Sequence, residues 1–157
     1  VRNVLQVKKM PSNQHYQRED FRINIKLKLS ALWISAMFCY VYGDFFSLFV
    51  PGRIEDLMNG KSGVGATTPY SILAFALLMT IPILMIVLSL VLKPAVNRWL
   101  NIGAGIFFTL IMTLILVTSL SKWMLFYVYL AFVEVILTST IVWISWKWPR
   151  VTEASAK

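Results

Sequence analysis

Cysteine and histidine are nearly missing from this chain. Cys39 is alone, so no internal disulfide can form, no CxxC redox pair exists and no cysteine-based zinc site can be built. His15 is the sole histidine and lies in the N-terminal 20 residues, outside every long apolar run. Metal sites and most nucleophilic triads therefore lack their raw material, and no cofactor is expected. Charge is sparse too. Only 14% of residues are charged, against about 25% in an average soluble domain. The few charges are unbalanced, with 15 Lys and Arg against 7 Asp and Glu. A net charge of +8 invites a nucleic-acid reading, but no basic stripe with interleaved aromatics occurs outside the apolar runs. We therefore expect no nucleic-acid partner. A P-loop is also missing. Gly60-Lys61-Ser62 has the right ending, but the motif needs glycine where Glu55 stands, and no strand precedes it.

What the chain has is apolar length. Hydrophobic residues make up 58%, gathered in four runs. The first, Leu27 to Val50, spans about 36 Å as a helix, enough to cross a hydrocarbon core of about 30 Å. The others are Tyr70 to Leu92, Trp99 to Leu120 and Trp123 to Trp146. The expected fold is all-α: a four-transmembrane-helix bundle over residues 27–148 with short connections. Residues 1–26 form a tail and interfacial segment, and 149–157 a second tail. The first 20 residues contain no apolar h-region, so the first run is expected to stay as a span rather than act as a cleaved signal. Pro82 should kink the second span.

Basic residues set the expected orientation. Twelve of the fifteen Lys and Arg lie in the segment ending at Lys28, in the Lys93–Arg98 loop and after Trp146; only Arg53, Lys61 and Lys122 lie on the other side. That asymmetry puts both termini in the cytoplasm. Arg22, Lys26 and Lys28 are placed to reach anionic headgroups, so the lipid bilayer is the first expected partner.

Two acids interrupt the spans. Glu134 falls near the middle of the fourth, and no Lys or Arg lies near the middle of any span to pair with it. The one basic residue within the span bounds, Lys28, stands at the very start of the first span and far from mid-depth. A charged side chain at mid-depth costs at least roughly 2.5–3.5 kcal/mol, so Glu134 is expected to hold its proton at rest. Its helix face carries Tyr127, Ala131, Thr138, Ile141 and Ser145, the most polar face of that helix. Two readings follow: a titratable site for proton-coupled transport, or a protonated acid that hydrogen-bonds to the stripe Asn101, Gly105, Thr109, Thr113 on the third span. Asp44 lies shallower, about 9 Å from the outer end of the first span, with Tyr40 and Ser47 on its face. It reads as the mouth of an outward cavity or as an acid that reaches interfacial water. Gly43 beside it would admit another backbone. The aromatic and Met residues of the spans are lipid-facing or packing residues by default.

The segments KLSALWISAMFCYVYGDFFSLFVPG, LSLVLKPAVNRWLNI and EVILTSTIVWISWKWP resemble a bacterial family of small four-helix membrane proteins that carries no assigned activity. The likeness runs from Glu19 to Pro149. It implies four helices and an integral membrane location. The small multidrug transporters, four-helix proteins that work as dimers through one membrane Glu, offer a looser analogy; their Glu is in the first helix, whereas Glu134 is in the fourth.

The expected role is that of a non-enzymatic structural or accessory membrane protein, with a homo-oligomer or a membrane protein as partner. The alternatives are a small proton-coupled transporter or channel using Glu134, and, less favoured, a membrane enzyme acting on a lipid or quinone.

Overall fold

Asn24 starts the first helix. Its side-chain oxygen accepts the Lys26 backbone N–H at 2.9 Å, a standard use of asparagine as an N-cap. Helix α1 then runs Ile25–Ser47. The computed structural model describes residues 23–61 and 65–149. The N-terminal tail with His15 and Arg22, and the C-terminal tail from Arg150, lie outside the described residues.

Helix α1 stops three residues earlier than its hydropathy suggests. Pro51 disfavours helical backbone at Val50 and its ring conflicts with the Ser47 carbonyl. The chain answers with three tightened turns: Leu48, Phe49 and Val50 each donate to the carbonyl three residues back, at 3.1–3.2 Å. Gly52, at φ 78°, supplies the left-handed residue that starts the short helix α2, Arg53–Met58. Helix α3, Pro69–Val91, opens with a capping box. Thr68 Oγ1 accepts the Ser71 N–H at 3.1 Å, and Ser71 Oγ accepts the Thr68 N–H at 2.8 Å. The helix is continuous through Pro82, which is buried.

Helix α4 is Pro94–Thr118, so it begins five residues before Trp99. The sequence KPAVNR reads as a connecting loop because Lys-Pro ends α3. The same proline starts α4, since its preset φ suits the first helical position and its missing N–H is no loss there. The connection is thus a single turn, and Asn97 moves from loop to helix. A 3₁₀ turn at Lys122–Met124 leads into α5, Leu125–Trp146.

The four long helices form an all-α bundle. Helix α1 packs on α3 and α5, while α4 packs most extensively on α5 and more lightly on α3. All four are long and apolar enough to cross a membrane. Their shared core is built from Leu29, Trp33, Ala36 and Tyr40 of α1, Met85 of α3, Phe108 and Met112 of α4, and Ile141 of α5. Phe108 meets Trp33 edge-on at 6.0 Å and Tyr40 at 6.0 Å. Helix α3 sits outermost and buries only Pro82, Met85 and Ser89. Large apolar side chains cover the outside of the bundle, Tyr70, Val91, Leu110 and Trp143 among them.

The α1 start, α3 end, α4 start and α5 end share one end of the bundle, called here the inner end. Lys26 turns its ammonium back onto the bundle there. Its ammonium donates to the Leu92 and Leu90 carbonyls at 2.7 and 3.2 Å. It thereby satisfies orphan carbonyls at the α3 C-terminus, where the helix dipole favours a cation.

Candidate functional site

The polar residues of the spans fall into three levels along the bundle. Helical spacing places them. On α4, Asn97, Asn101, Gly105 and Thr109 follow at steps of four and look into the bundle; on α5, Ala131, Glu134, Thr138, Ile141 and Ser145 are the buried residues.

At the inner level Asn101 is a junction. Its side-chain oxygen accepts Trp33 Nε1–H at 2.8 Å and the Ser89 hydroxyl at 3.3 Å. Its amide donates to Asn97 Oδ1 at 2.6 Å and to the Asn97 carbonyl at 2.9 Å. Asn97 in turn donates to the Ser89 carbonyl at 2.6 Å. Trp33, Ser89, Asn97 and Asn101 are all fully buried. Three helices are joined here by side-chain bonds in a region without water, where an unmade bond is costly.

At the middle level α4 and α5 come closest. A Cβ on Gly105 would lie 2.7 Å from Val142 Cγ2 and 3.4 Å from the Thr138 carbonyl, so only glycine allows this approach. The Thr109 and Thr138 hydroxyls pair across the contact at 2.8 Å. Thr138 also reaches back 2.8 Å to the Glu134 carbonyl on its own helix, and Thr109 lies 2.7 Å from the Gly105 carbonyl. Thr113, the outermost member of the stripe, is exposed and bonds only to its own helix, at the Thr109 carbonyl.

The outer level holds Glu134. Its side chain is 3% exposed. It lines a small cavity with Cys39, Tyr40, Gly43, Met112 and Tyr127, measuring about 10 Å³. That is about the space for one water centre. The expected bond from Glu134 to Asn101 or Thr109 is not made, since both of those are engaged elsewhere. Among the described residues the Glu134 carboxyl has no hydrogen-bond partner. The Tyr40 hydroxyl is buried and unpaired. Gly43 does not admit a backbone; the Tyr127 ring lies over it, 3.4 Å from where a Cβ would stand.

Asp44 is exposed and lies nearer its helix end than its sequence position suggests. It is three residues, or about 4.5 Å, from the end of α1, because the helix ends at Ser47. Arg53 at the start of α2 acts electrostatically on it, and Tyr127 is within electrostatic reach of Asp44, Glu134 and Arg53.

A family profile matches residues 18–155, from before α1 to beyond α5. The chain belongs to DUF6326, a family of unknown function. No curated protein and no solved structure matches it. The DUF6326 match includes Tyr40, Asp44, Asn101, Thr109, Glu134 and Thr138, so each candidate lies inside the shared region. It carries no activity to assign to any of them.

Three members of the inner network were not legible as such. Asn97 was hidden by the boundary of α4, Ser89 stood in an otherwise apolar run, and Trp33 read as a packing ring. One signal was present: Asn97 and Asn101 stand four apart, the spacing that joins side chains along one helix face.

Proposed function

We propose that this protein is an integral component of a bacterial cytoplasmic membrane, with both termini in the cytoplasm, and that it acts by association rather than catalysis. Its partner is a second copy of the chain or another membrane protein. The supporting observation is the Trp33–Asn101–Asn97–Ser89 network. Polar groups at that depth are committed to joining helices, which gives a defined bundle surface to a neighbour. The excess of Lys and Arg at the inner end supports the orientation. A reporter that works only in the cytoplasm, fused after Lys157, is expected to be active; a silent reporter in an expressed fusion overturns the orientation.

A second reading is proton-coupled transport at Glu134. It is favoured by one observation: the Glu134 side chain and the buried, unpaired Tyr40 hydroxyl line the same one-water cavity. Glu134→Gln separates the two, because it keeps the shape and removes titration. The Gln variant is expected to unfold within about 0.5 kcal/mol of wild type. Proton uptake into proteoliposomes, read with a pH-sensitive dye, is expected to match empty vesicles for both proteins. Uptake by wild type that disappears in the Gln variant would overturn the accessory reading and establish transport.

A further inference from the structure

A cavity outside the helix core opens at the inner end. It is a groove of about 620 Å³ between the first turn of α4 and the chain that follows α5. Its walls are apolar and aromatic: Pro94, Trp99, Trp148 and Pro149. Among the described residues its charged members are Lys93 and Arg98. None of the groups above, in the core or around Glu134, takes part in it.

Arg98 is the informative residue. One terminal nitrogen donates to the Trp146 carbonyl at 3.2 Å, which satisfies the end of α5 and holds the guanidinium in place. The guanidinium carbon stands 5.5 Å from the Trp99 ring and 6.0 Å from the Trp146 ring. Its Nε–H is buried and has no acceptor among the described residues. With Lys93, Arg98 gives the groove a fixed positive charge that no acidic residue offsets among the described lining residues. The first turn of α4 adds to this, since it has no side-chain cap and no acidic residue. The complement to two cations on an aromatic wall is an anion with a hydrocarbon part. A volume of about 620 Å³ suits such a group, lying within the roughly 300–1,000 Å³ of typical ligand pockets.

We infer that this groove binds one anionic phospholipid, with its phosphate against Arg98 and Lys93 and its acyl chains along Trp99 and Trp148. The inference rests on the membrane reading above. Phosphate suits Arg98 because guanidinium N–H groups are charge-assisted donors to phosphate oxygens. Membrane depth agrees, for Trp99, Trp143 and Trp146 are exposed at this end, where tryptophan favours the headgroup level.

The test uses the full chain, purified in detergent and titrated with phosphatidylglycerol or phosphatidylcholine, with bound lipid counted by native mass spectrometry. Wild type is expected to retain one phosphatidylglycerol in preference to phosphatidylcholine. Arg98→Gln should weaken that binding about tenfold, the scale of one charge-assisted bond. Lys93→Gln should weaken it about fivefold, the scale of one surface charge near a headgroup. Lys147→Gln removes a charge at the same end that is outside the groove, against Trp143, and should change nothing. Arg98→Lys keeps the charge and loses the planar guanidinium donor set, so it should still fold yet bind less tightly than wild type. Inorganic phosphate at equal concentration should not displace the lipid. Equal retention of the two lipids, full binding by Arg98→Lys, an equal loss in Lys147→Gln, or displacement by phosphate each overturns the site. Release of the protein from membranes by alkaline carbonate would instead overturn the membrane reading itself.

Discussion

Asn101→Ala is expected to destabilise the bundle by roughly 2–3 kcal/mol, measured by reversible unfolding from mild detergent into SDS. The truncation removes four bonds at once. Trp33 Nε1–H and the Ser89 hydroxyl lose their acceptor, and Asn97 Oδ1 loses its donor. Each of these groups is fully buried, so water cannot replace the partner without opening the bundle. An orphaned buried group costs about 1–3 kcal/mol, but interhelical bonds in membranes average only about 0.6 kcal/mol, which keeps the expected total low. Asn101→Asp is a sharper variant. It keeps an acceptor for Trp33 but turns acceptors towards both Asn97 oxygens, so it should be at least as damaging as Ala. Thr113→Ala belongs to the same stripe, yet Thr113 is exposed and bonds only within α4. Its change should stay within about 0.5 kcal/mol. A loss below about 1 kcal/mol for Asn101→Ala would mean that the network is not a structural junction.

Gly105→Leu should cost about 3 kcal/mol by forcing α4 away from α5. Even one carbon is resisted. A Cβ would stand 2.7 Å from Val142 Cγ2, and valine in a helix has essentially one rotamer, so it cannot swing aside. Alanine is the better helix former by about 1 kcal/mol, and that gain offsets part of the clash. Gly105→Ala is therefore expected to lose about 1–2 kcal/mol net. Two comparisons make the origin visible. Val142→Ala in the same chain should recover most of the Gly105→Ala loss, a coupling expected only between residues in contact. Gly103, two residues away, has nothing within 4 Å of its Cβ position. Gly103→Ala should therefore be neutral or stabilising by about 0.5–1 kcal/mol. Equal effects at Gly103 and Gly105 would assign the loss to helix propensity and not to the contact.

These two sites differ in how visible they were in the sequence. Gly105 stood in a stripe of small and polar residues at four-residue steps, and such a stripe at membrane depth points to close packing by itself. The stripe's limit at Thr113 was not visible, because periodicity continues along a helix whether or not a neighbour is there to meet it. Asn101 was singled out as polar, but its partners came from three different segments. Glu134 was identified as the costly acid from hydropathy alone; its lack of a partner depends on where Thr109 and Asn101 turn instead. Lys26 read as a basic residue at a span start, and its bonds to the end of α3, 64 to 66 residues further along the chain, were not visible there.

The helices, their apolar length and their caps were determined locally. A run of apolar residues, a Thr68-Pro69 start and a Pro51 stop act over one or two turns, so residue order is enough to state them. The all-α bundle followed from four such runs and short connections. Partnership is different in kind. Whether Trp33 meets Asn101, whether Gly105 faces Val142 and whether Glu134 is left beside an unpaired Tyr40 depend on the rotation and depth of four packed helices. Those are set by the whole core at once, and a shift of one residue along a helix turns a side chain by about 100°. For that reason the membrane-length helices could be read from the chain, while the junction at Asn101 and the cavity at Glu134 became visible only in the folded bundle.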